Sequence, residues 1–407
     1  MDAAAPAVAA VIAVPRYERR TLFLVSIGHW FSHFYMLVIP PLFPLLKDDL
    51  GVSWTMLGVL FAAYSIGTAV VQVPVGLWVD RIGARPILLW GFFLQAVAFG
   101  LCGVFASYWA MFLLLIVAGF GNAVFHPADY AILAAHVRKE RHGRAFGVHL
   151  FASFLGWGAG YAIMPELARY LGWQNALITV GILGIAYLVP LWWAGEALDD
   201  RAGPIRDKAK AGQSGTKARL ALLKSPVILL LFLFFAFISL ASNGLQTFTV
   251  VSLNLLHGYS HEIGNWALSA YLFSGGAGVL LGGWLADRFK NHELATAISY
   301  AASALVILIA ALIKMPETTM IVLFALGGFL ASIVSPIRDL IVRQKSPPGA
   351  IGTVFAIVTL GFSVGIGSLP VFGWFNDIGA PQLLFWCNAA LLMAAVASVY
   401  VVRDARA

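Results

Sequence analysis

Charged side chains are scarce in this chain. Asp, Glu, Lys and Arg make up 11% of its 407 residues, against about 25% in a soluble domain. There are two cysteines, Cys102 and Cys387, each within an apolar run, so neither a disulfide framework nor a cysteine-ligated metal cluster is expected. Ten-residue segments of alternating hydropathy, the mark of a membrane β-barrel, are missing. The Walker A pattern is missing too: Gly215-Thr216-Lys217 lacks the spacing that cradles phosphates, which disfavours ATP-driven work. With no nucleophilic or hydrolytic grouping in view, neither an enzyme nor a cofactor is expected. Residues 1–15 are rich in Ala and carry Asp2 but no early basic residue, unlike the n-region of a signal peptide.

What the chain has in abundance is hydrocarbon: 60% hydrophobic residues and a mean hydropathy of +0.86. Crossing a membrane takes about 20 mostly apolar residues. Such runs fall at 21–46, 54–76, 86–106, 109–135, 145–165, 174–195, 226–250, 263–285, 293–313, 318–342, 350–374 and 382–402. The expected fold is an all-α membrane protein of twelve transmembrane helices. The net charge of +7 is explained by placement. With the N-terminus inside, 22 of the 26 basic residues fall on the cytoplasmic side, whereas Lys47, Arg169 and Lys314 fall outside and Arg338 within a span. This is the positive-inside pattern. It puts both termini in the cytoplasm, fits a bacterial inner membrane, and removes any need for a nucleic-acid partner. The expected partners are the lipid bilayer, a small-molecule substrate and protons as coupling ion, and a monomer is expected.

The chain repeats itself. Gly76-Leu-Trp-Val-Asp80-Arg81 returns as Gly283-Trp-Leu-Ala-Asp287-Arg288, 207 residues later, and Gly51 and Ser53 match Gly258 and Ser260 at the same offset. Pro127, Phe146 and Gly156 match Pro336, Phe355 and Gly365 at an offset of 209. The polar stretch 196–225 divides the two copies and reads as a solvated linker. The expected organisation is a cytosolic tail (1–20), a six-helix bundle (21–195), the linker (196–225), a second six-helix bundle (226–402) and a short tail (403–407). Parallel six-helix repeats are an architecture of secondary transporters, with a midplane site between the halves.

Between the second and third helices the chain reads Gly76-x-x-x-Asp80-Arg81-x-Gly83-x-Arg85, with Pro86 in place of a final basic residue. The loop, its second copy and the repeat resemble the major facilitator superfamily over essentially the whole chain. Gly76 would permit close helix approach, and Asp80 could accept hydrogen bonds from a helix N-terminus on a neighbouring element. A narrower resemblance, mainly in the first half, is to the fosmidomycin-resistance branch of efflux proteins. It is carried by Ser32-His33-Phe34, Val124-Phe125-His126-Pro127 and Arg141-His142-Gly143. Helix 5 lacks the Gly-Pro pair of the antiporter signature, and Leu115 stands where many proton-driven exporters carry Arg, so the direction of transport stays open.

The resemblance implies that helices 1, 4, 7 and 10 line the cavity, and the polar residues within spans fall there. His29 and His33 share a face of helix 1; Asn122, His126 and Asp129 share a face of helix 4; Ser239, Asn243 and Gln246 share a face of helix 7. Helix 10 supplies Ser335, Arg338 and Asp339, and helix 5 adds His149. Ionisable groups at membrane depth are costly and point to function. His29, His33, Asn122, His126, Asn243, Gln246 and Arg338 are the expected solute-binding residues. Asp129, His126, Arg338 and Asp339 are expected to move protons or form a gate, with Asp129 and Arg338 at equivalent repeat positions. Structural hydrogen bonding is the alternative reading of the histidines and amides, and a histidine pair one turn apart could also ligate a transition metal. The expected function is secondary active transport of a small organic solute, anionic or zwitterionic, with protons as the coupling ion. Antibiotic efflux, metal transport and a non-transporting receptor are the alternatives.

Overall fold

A computed structural model describes residues 17–200, 222, 224–347 and 351–403. The expected N-terminal tail up to residue 16, the linker residues 201–221 and 223, and residues 404–407 lie outside the described residues. So do Arg16, Arg201, Arg206, Lys208, Lys210, Lys217, Arg219 and Arg406, which contribute to the charge asymmetry. Among the described residues the chain is helical, and twelve segments are long and apolar enough to cross a membrane.

The first half contains α1 (Glu18–Met36), α2 (Phe43–Leu50), α3 (Trp54–Ile82), α4 (Ala84–Val104), α5 (Tyr108–Asn122), α6 (Phe125–His136), α7 (His142–Leu171) and α8 (Trp173–Trp193). The second contains α9 (Pro226–His257), α10 (His261–Arg288), α11 (His292–Leu312), α12 (Glu317–Lys345), α13 (Ile351–Thr359), α14 (Gly361–Val364), α15 (Leu369–Asp377) and α16 (Gln382–Arg403). Three spans are therefore discontinuous. The first breaks between α1 and α2, where Pro40 and Pro41 form a 3₁₀ turn. The fourth breaks at Ala123-Val124, because Pro127 has no N–H to offer the carbonyl one turn back. The eleventh breaks twice between α13 and α15. Pro336, the repeat partner of Pro127, is accommodated inside the continuous α12, so the two halves differ here.

Elsewhere the repeat is preserved to the level of single hydrogen bonds. Gly51 and Gly258 end α2 and α9 in the left-handed conformation, at φ 64° and 70°. Ser53 and Ser260 then cap α3 and α10, their hydroxyls accepting from the N–H of Met56 and Ile263 at 3.1 and 3.2 Å. A Cβ on Gly119 would lie 2.1 Å from the carbonyl oxygen of Tyr64, and one on Gly328 would lie 2.0 Å from that of Tyr271. These two contacts are repeat equivalents, and they let α5 and α12 pack directly on the backbones of α3 and α10.

The expected close approach at Gly76 is absent: a Cβ there, or on Gly283, would meet nothing within 4 Å. Asp80 is exposed, and at the N-terminus of α4 the Ala84 N–H donates to Asp200 Oδ1 at 2.9 Å. Gly83 turns between the two helices at φ 105°, and the Arg85 guanidinium donates to the Trp192 carbonyl at 2.7 Å. Residues 196–200 consequently dock on the first half rather than starting a solvated linker: Ala197 and Leu198 are buried, and Thr21 Oγ1 donates to the Ala197 carbonyl at 2.6 Å.

The halves meet from mid-span to the face opposite the chain termini. Among the described residues, every hydrogen bond between them lies in that part. Ser269 Oγ donates to the Gly158 carbonyl at 2.8 Å, Tyr161 Oη donates to the Gln246 carbonyl, and Trp54 and Thr55 donate to Asp377. Phe43 and Phe248 add a ring contact at 5.4 Å. On the terminus-bearing face no hydrogen bond or ion pair joins α6 to α12 among the described residues, and Arg338 of α12 bonds its own neighbour Asp339.

Candidate functional site

His29 lies eleven residues into α1, about 16 Å along its axis and hence near the middle of a hydrocarbon layer about 30 Å thick. One turn further on, His33 Nε2 is 3.1 Å from His29 Nε2. The break between α5 and α6 tips Asp129 into the same half, where Oδ2 is 3.0 Å from His29 Nδ1. Across from them α7 packs closely on α1, since a Cβ on Gly156 would lie 2.3 Å from the Trp30 carbonyl oxygen. That approach places His149 Nε2 at 3.6 Å from Asp129 Oδ2, with its ring stacked on His29 at 3.7 Å.

His29, His33, Asp129 and His149 are all buried, whereas His126 is exposed. The His126 ring is 5.1 Å from His29 and 5.9 Å from His33. Trp157 closes the other side, edge-on to His33 at 4.5 Å.

The hydrogen-bonding pattern admits two protonation states without rearrangement. With His29 neutral and its proton on Nδ1, it donates to Asp129 and accepts from His33 Nε2–H. With His29 charged, it donates to Asp129 and to a His33 lone pair. His33 Nδ1, both nitrogens of His149 and Asp129 Oδ1 have no hydrogen-bond partner among the described residues. Such atoms are costly inside a membrane protein, and packing alone does not explain four of them in one cluster.

The ligand atoms of His29, Asp129 and His149 lie within 4.8 Å of one another, close enough to raise the question of a metal ion. An ion must lie in the plane of each imidazole that ligates it, about 2.0–2.1 Å from the nitrogen. The two stacked rings are tilted by only 25°, so their planes meet well beyond that distance. As placed, these three residues do not fit one ion.

A buried ionisable cluster inside a twelve-span bundle with an internal repeat is the architecture of a carrier, and the sequence agrees. It matches the model of the Major Facilitator Superfamily over residues 25–264 and 236–407. The chain belongs to this superfamily. As a superfamily transporter it is 23% identical over 385 residues to the fosmidomycin resistance protein of Escherichia coli (strain K12), covering 93% of this chain and 91% of that protein. It is 23% identical over 382 residues to the gallate transporter of Pseudomonas putida, covering 87% and 83%. A bacterial homologue of the human lysosomal transporter Spinster, in an inward-facing and occupied conformation, has the same fold, with a TM-score of 0.75 at 15% identity over 95% of this chain and 97% of that one.

The remaining site residues expected from sequence do not join the cluster. Asn122, at the end of α5, engages Gln95 and Thr68 at 3.4 Å each, beside Tyr64. The break after it shifts the helical phase that would have aligned it with His126. Asn243 donates to the Ser239 carbonyl and hydroxyl at 3.0 Å, while Ser239 Oγ donates to the Phe362 carbonyl at 2.6 Å, so this pair ties α9 to α14. Gln246 meets the first half through its carbonyl. Arg338 bonds its neighbour, Nε to Asp339 Oδ1 at 2.9 Å, and the Asp129–Arg338 contact is not made. Sequence reasoning placed His149 at membrane depth but not in the site, and it missed Trp157 and Tyr130.

Proposed function

We propose that this protein is a proton-coupled secondary active transporter that moves a small organic anion or zwitterion across a bacterial inner membrane by alternating access. The observation that carries the reading is the buried carboxylate–imidazole cluster, beside which His126 is exposed. Asp129 is the proton acceptor, His29 and His149 share its charge, and His33 and His126 pass protons between the cluster and the cavity. Histidine titrates near neutral pH, the range in which a membrane proton gradient operates. Arg338, His126 and Gln246 face the solute, with Asn122 and Asn243 holding the cavity walls. Gly76, Asp80, Arg81, Gly83 and Arg85, and Gly283, Asp287 and Arg288 in the second copy, act in the opposite conformation, in which the terminus-bearing face closes.

The positive-inside pattern supports a cytoplasmic location for both termini. The described conformation is then inward-facing, and a monomer contains the whole pathway. Export of antibiotic-like compounds is a second reading, favoured by the likeness to the fosmidomycin resistance protein over 91% of its length.

A thermal-shift screen of metabolites and antibiotics identifies the solute through the stabilisation that specific binding confers. Uptake into proteoliposomes with and without an imposed pH gradient then tests the coupling. Gradient-dependent accumulation is expected; accumulation indifferent to the gradient would contradict it.

A further inference from the structure

A groove lies on the first half, behind the buried histidines. It is a cavity of about 350 Å³ between α1, α7 and α8, with Trp30, Phe34, Leu167, Val180, Ala186 and Pro190 in its walls. Rings stiffen those walls: Trp30 stacks on Phe34 and Phe31 stacks on Tyr187, both at 5.1 Å. The Tyr187 hydroxyl is already used, donating to the Leu24 carbonyl at 2.8 Å. An apolar cavity of about 150 Å³ stays dry, because a buried water needs two to four polar partners. This larger one is equally apolar, so the filling it suits is hydrocarbon.

The depth of the groove matches one leaflet. From Val180 to Pro190 it follows α8 for about 15 Å, half of a hydrocarbon layer about 30 Å thick. Pro190 marks the end nearer the terminus-bearing face. One turn beyond it stands Trp193, exposed, whose carbonyl accepts from Arg20 Nη2 at 3.2 Å. Arg20, Phe23, Ile27, Trp30 and Phe34 recur at spacings of three and four, so Arg20 shares the groove's face of α1, with His29 and His33 on the opposite face. Arg20 is exposed, and its Nε and Nη1 have no hydrogen-bond partner among the described residues. The nearby carboxylates are engaged elsewhere, Glu18 with Arg138 and Arg141, and Glu196 with Tyr17. Because α1 starts without a side-chain cap, its first-turn N–H groups add to the positive potential around Arg20.

We propose that this groove is a phospholipid site, in which one acyl chain from the leaflet on the terminus-bearing side lies between α1, α7 and α8 and the lipid phosphate sits on Arg20. The free edge of the guanidinium donates to phosphate oxygens, and the exposed Trp193 ring stands at the level where indoles meet the headgroup region. Arg19, also exposed, adds a second positive charge, so an anionic headgroup is preferred to a zwitterionic one. Apolar side chains gain nothing from leaving lipid for other hydrocarbon, and the chain is therefore held by fit within the ring-lined walls. There it braces the back of α1, the helix whose other face carries His29 and His33. The site is separate from the solute pathway and from the proton cluster, and it stands whichever solute is carried.

The test uses the full-length protein in detergent, washed free of lipid, with native mass spectrometry counting bound copies as palmitoyl-oleoyl phosphatidylglycerol or phosphatidylcholine is added. The parent should take up one phosphatidylglycerol ahead of any further copies, and its melting temperature should rise with it. Ala186→Phe places a ring in the groove at an exposed position, so it should fold like the parent and bind that first lipid about fivefold more weakly or worse. Ile182→Phe, exposed on the same helix outside the groove, should bind it like the parent. Arg20→Gln should lower the preference for phosphatidylglycerol over phosphatidylcholine a few-fold. In the unaltered protein, phosphatidylglycerol carrying a diazirine in its acyl chain should crosslink to residues 30–34 and 180–190. The proposal is overturned if the parent shows no distinct first lipid, if Ala186→Phe binds like Ile182→Phe, or if the crosslinks scatter over the twelve spans. Equal affinity of the parent for the two headgroups would overturn the role of Arg20.

Discussion

Asp377 and Thr55 join the two halves at the face opposite the termini. Asp377 Oδ2 accepts from the Thr55 N–H at 2.8 Å and from Thr55 Oγ1 at 2.6 Å, while Oδ1 accepts from the Trp54 N–H at 2.9 Å. The carboxylate at the end of α15 thus caps the first turn of α3, where free N–H groups and the helix dipole favour negative charge. An N-cap is worth about 1 kcal/mol. Because this one joins the two halves, separating them on that face would break it, and Asp377→Ala should move the conformational equilibrium about fivefold toward opening there. Spin labels on the loops of that face should then report a larger long-distance population. An unchanged distribution would show that the cap does not hold the closed state.

The repeat-equivalent glycines should separate by function. At Gly119 and Gly328 an added methyl would meet backbone that cannot rotate away, so Gly119→Ala and Gly328→Ala should each destabilise the protein by about 1–3 kcal/mol and lower its melting temperature. Gly76→Ala meets open space and should leave the melting temperature at the parent value. A larger loss at Gly76 than at Gly119 would contradict the packing described for α3 and α5.

Topology is open to direct labelling. In a background with Cys102 and Cys387 replaced, cysteines at Ser107 and Gly379 should react with a membrane-impermeant thiol reagent added outside cells. One at Gly143 should react only after the membrane is opened. All three positions are exposed in the fold. External labelling at Gly143 would reverse the proposed orientation.

Hydropathy located all twelve spans, because an apolar run of sufficient length has no alternative in a membrane, but the helices of the fifth and seventh spans run on past the apolar runs, to Leu171 and His257. The superfamily loop and the repeat were legible for the same reason that Ser53 and Ser260 both cap helices: local chemistry recurs in both copies. Asn122 was misplaced because a constant helical phase was carried through Ala123-Val124, although Pro127 marked the break. Periodicity along one helix groups His29 with His33, but the approach of α7 to α1 decides that His149 completes the cluster, and its trace in the sequence was Gly156 and Gly160, whose Cβ atoms would meet the Trp30 and Leu37 carbonyls. Arg338 resisted prediction for another reason. Its equivalence with Asp129 suggested a pair, while burial turned Asp129 toward His29 and left Tyr130 at the opening.

The proton role of Asp129 is tested most directly by Asp129→Asn in proteoliposomes, with the solute first found by thermal shift and measured both for accumulation on a pH gradient and for solute–solute exchange. The amide keeps the size of the carboxylate and can still accept from His29, but it carries no proton at any working pH. Accumulation should fall to the level set by exchange alone, with exchange itself within a few-fold of the parent. His149→Phe, which keeps a ring against His29, should lower accumulation in the same assay. Undiminished uphill accumulation in Asp129→Asn would contradict the central claim, because the buried cluster would then be no part of the coupling.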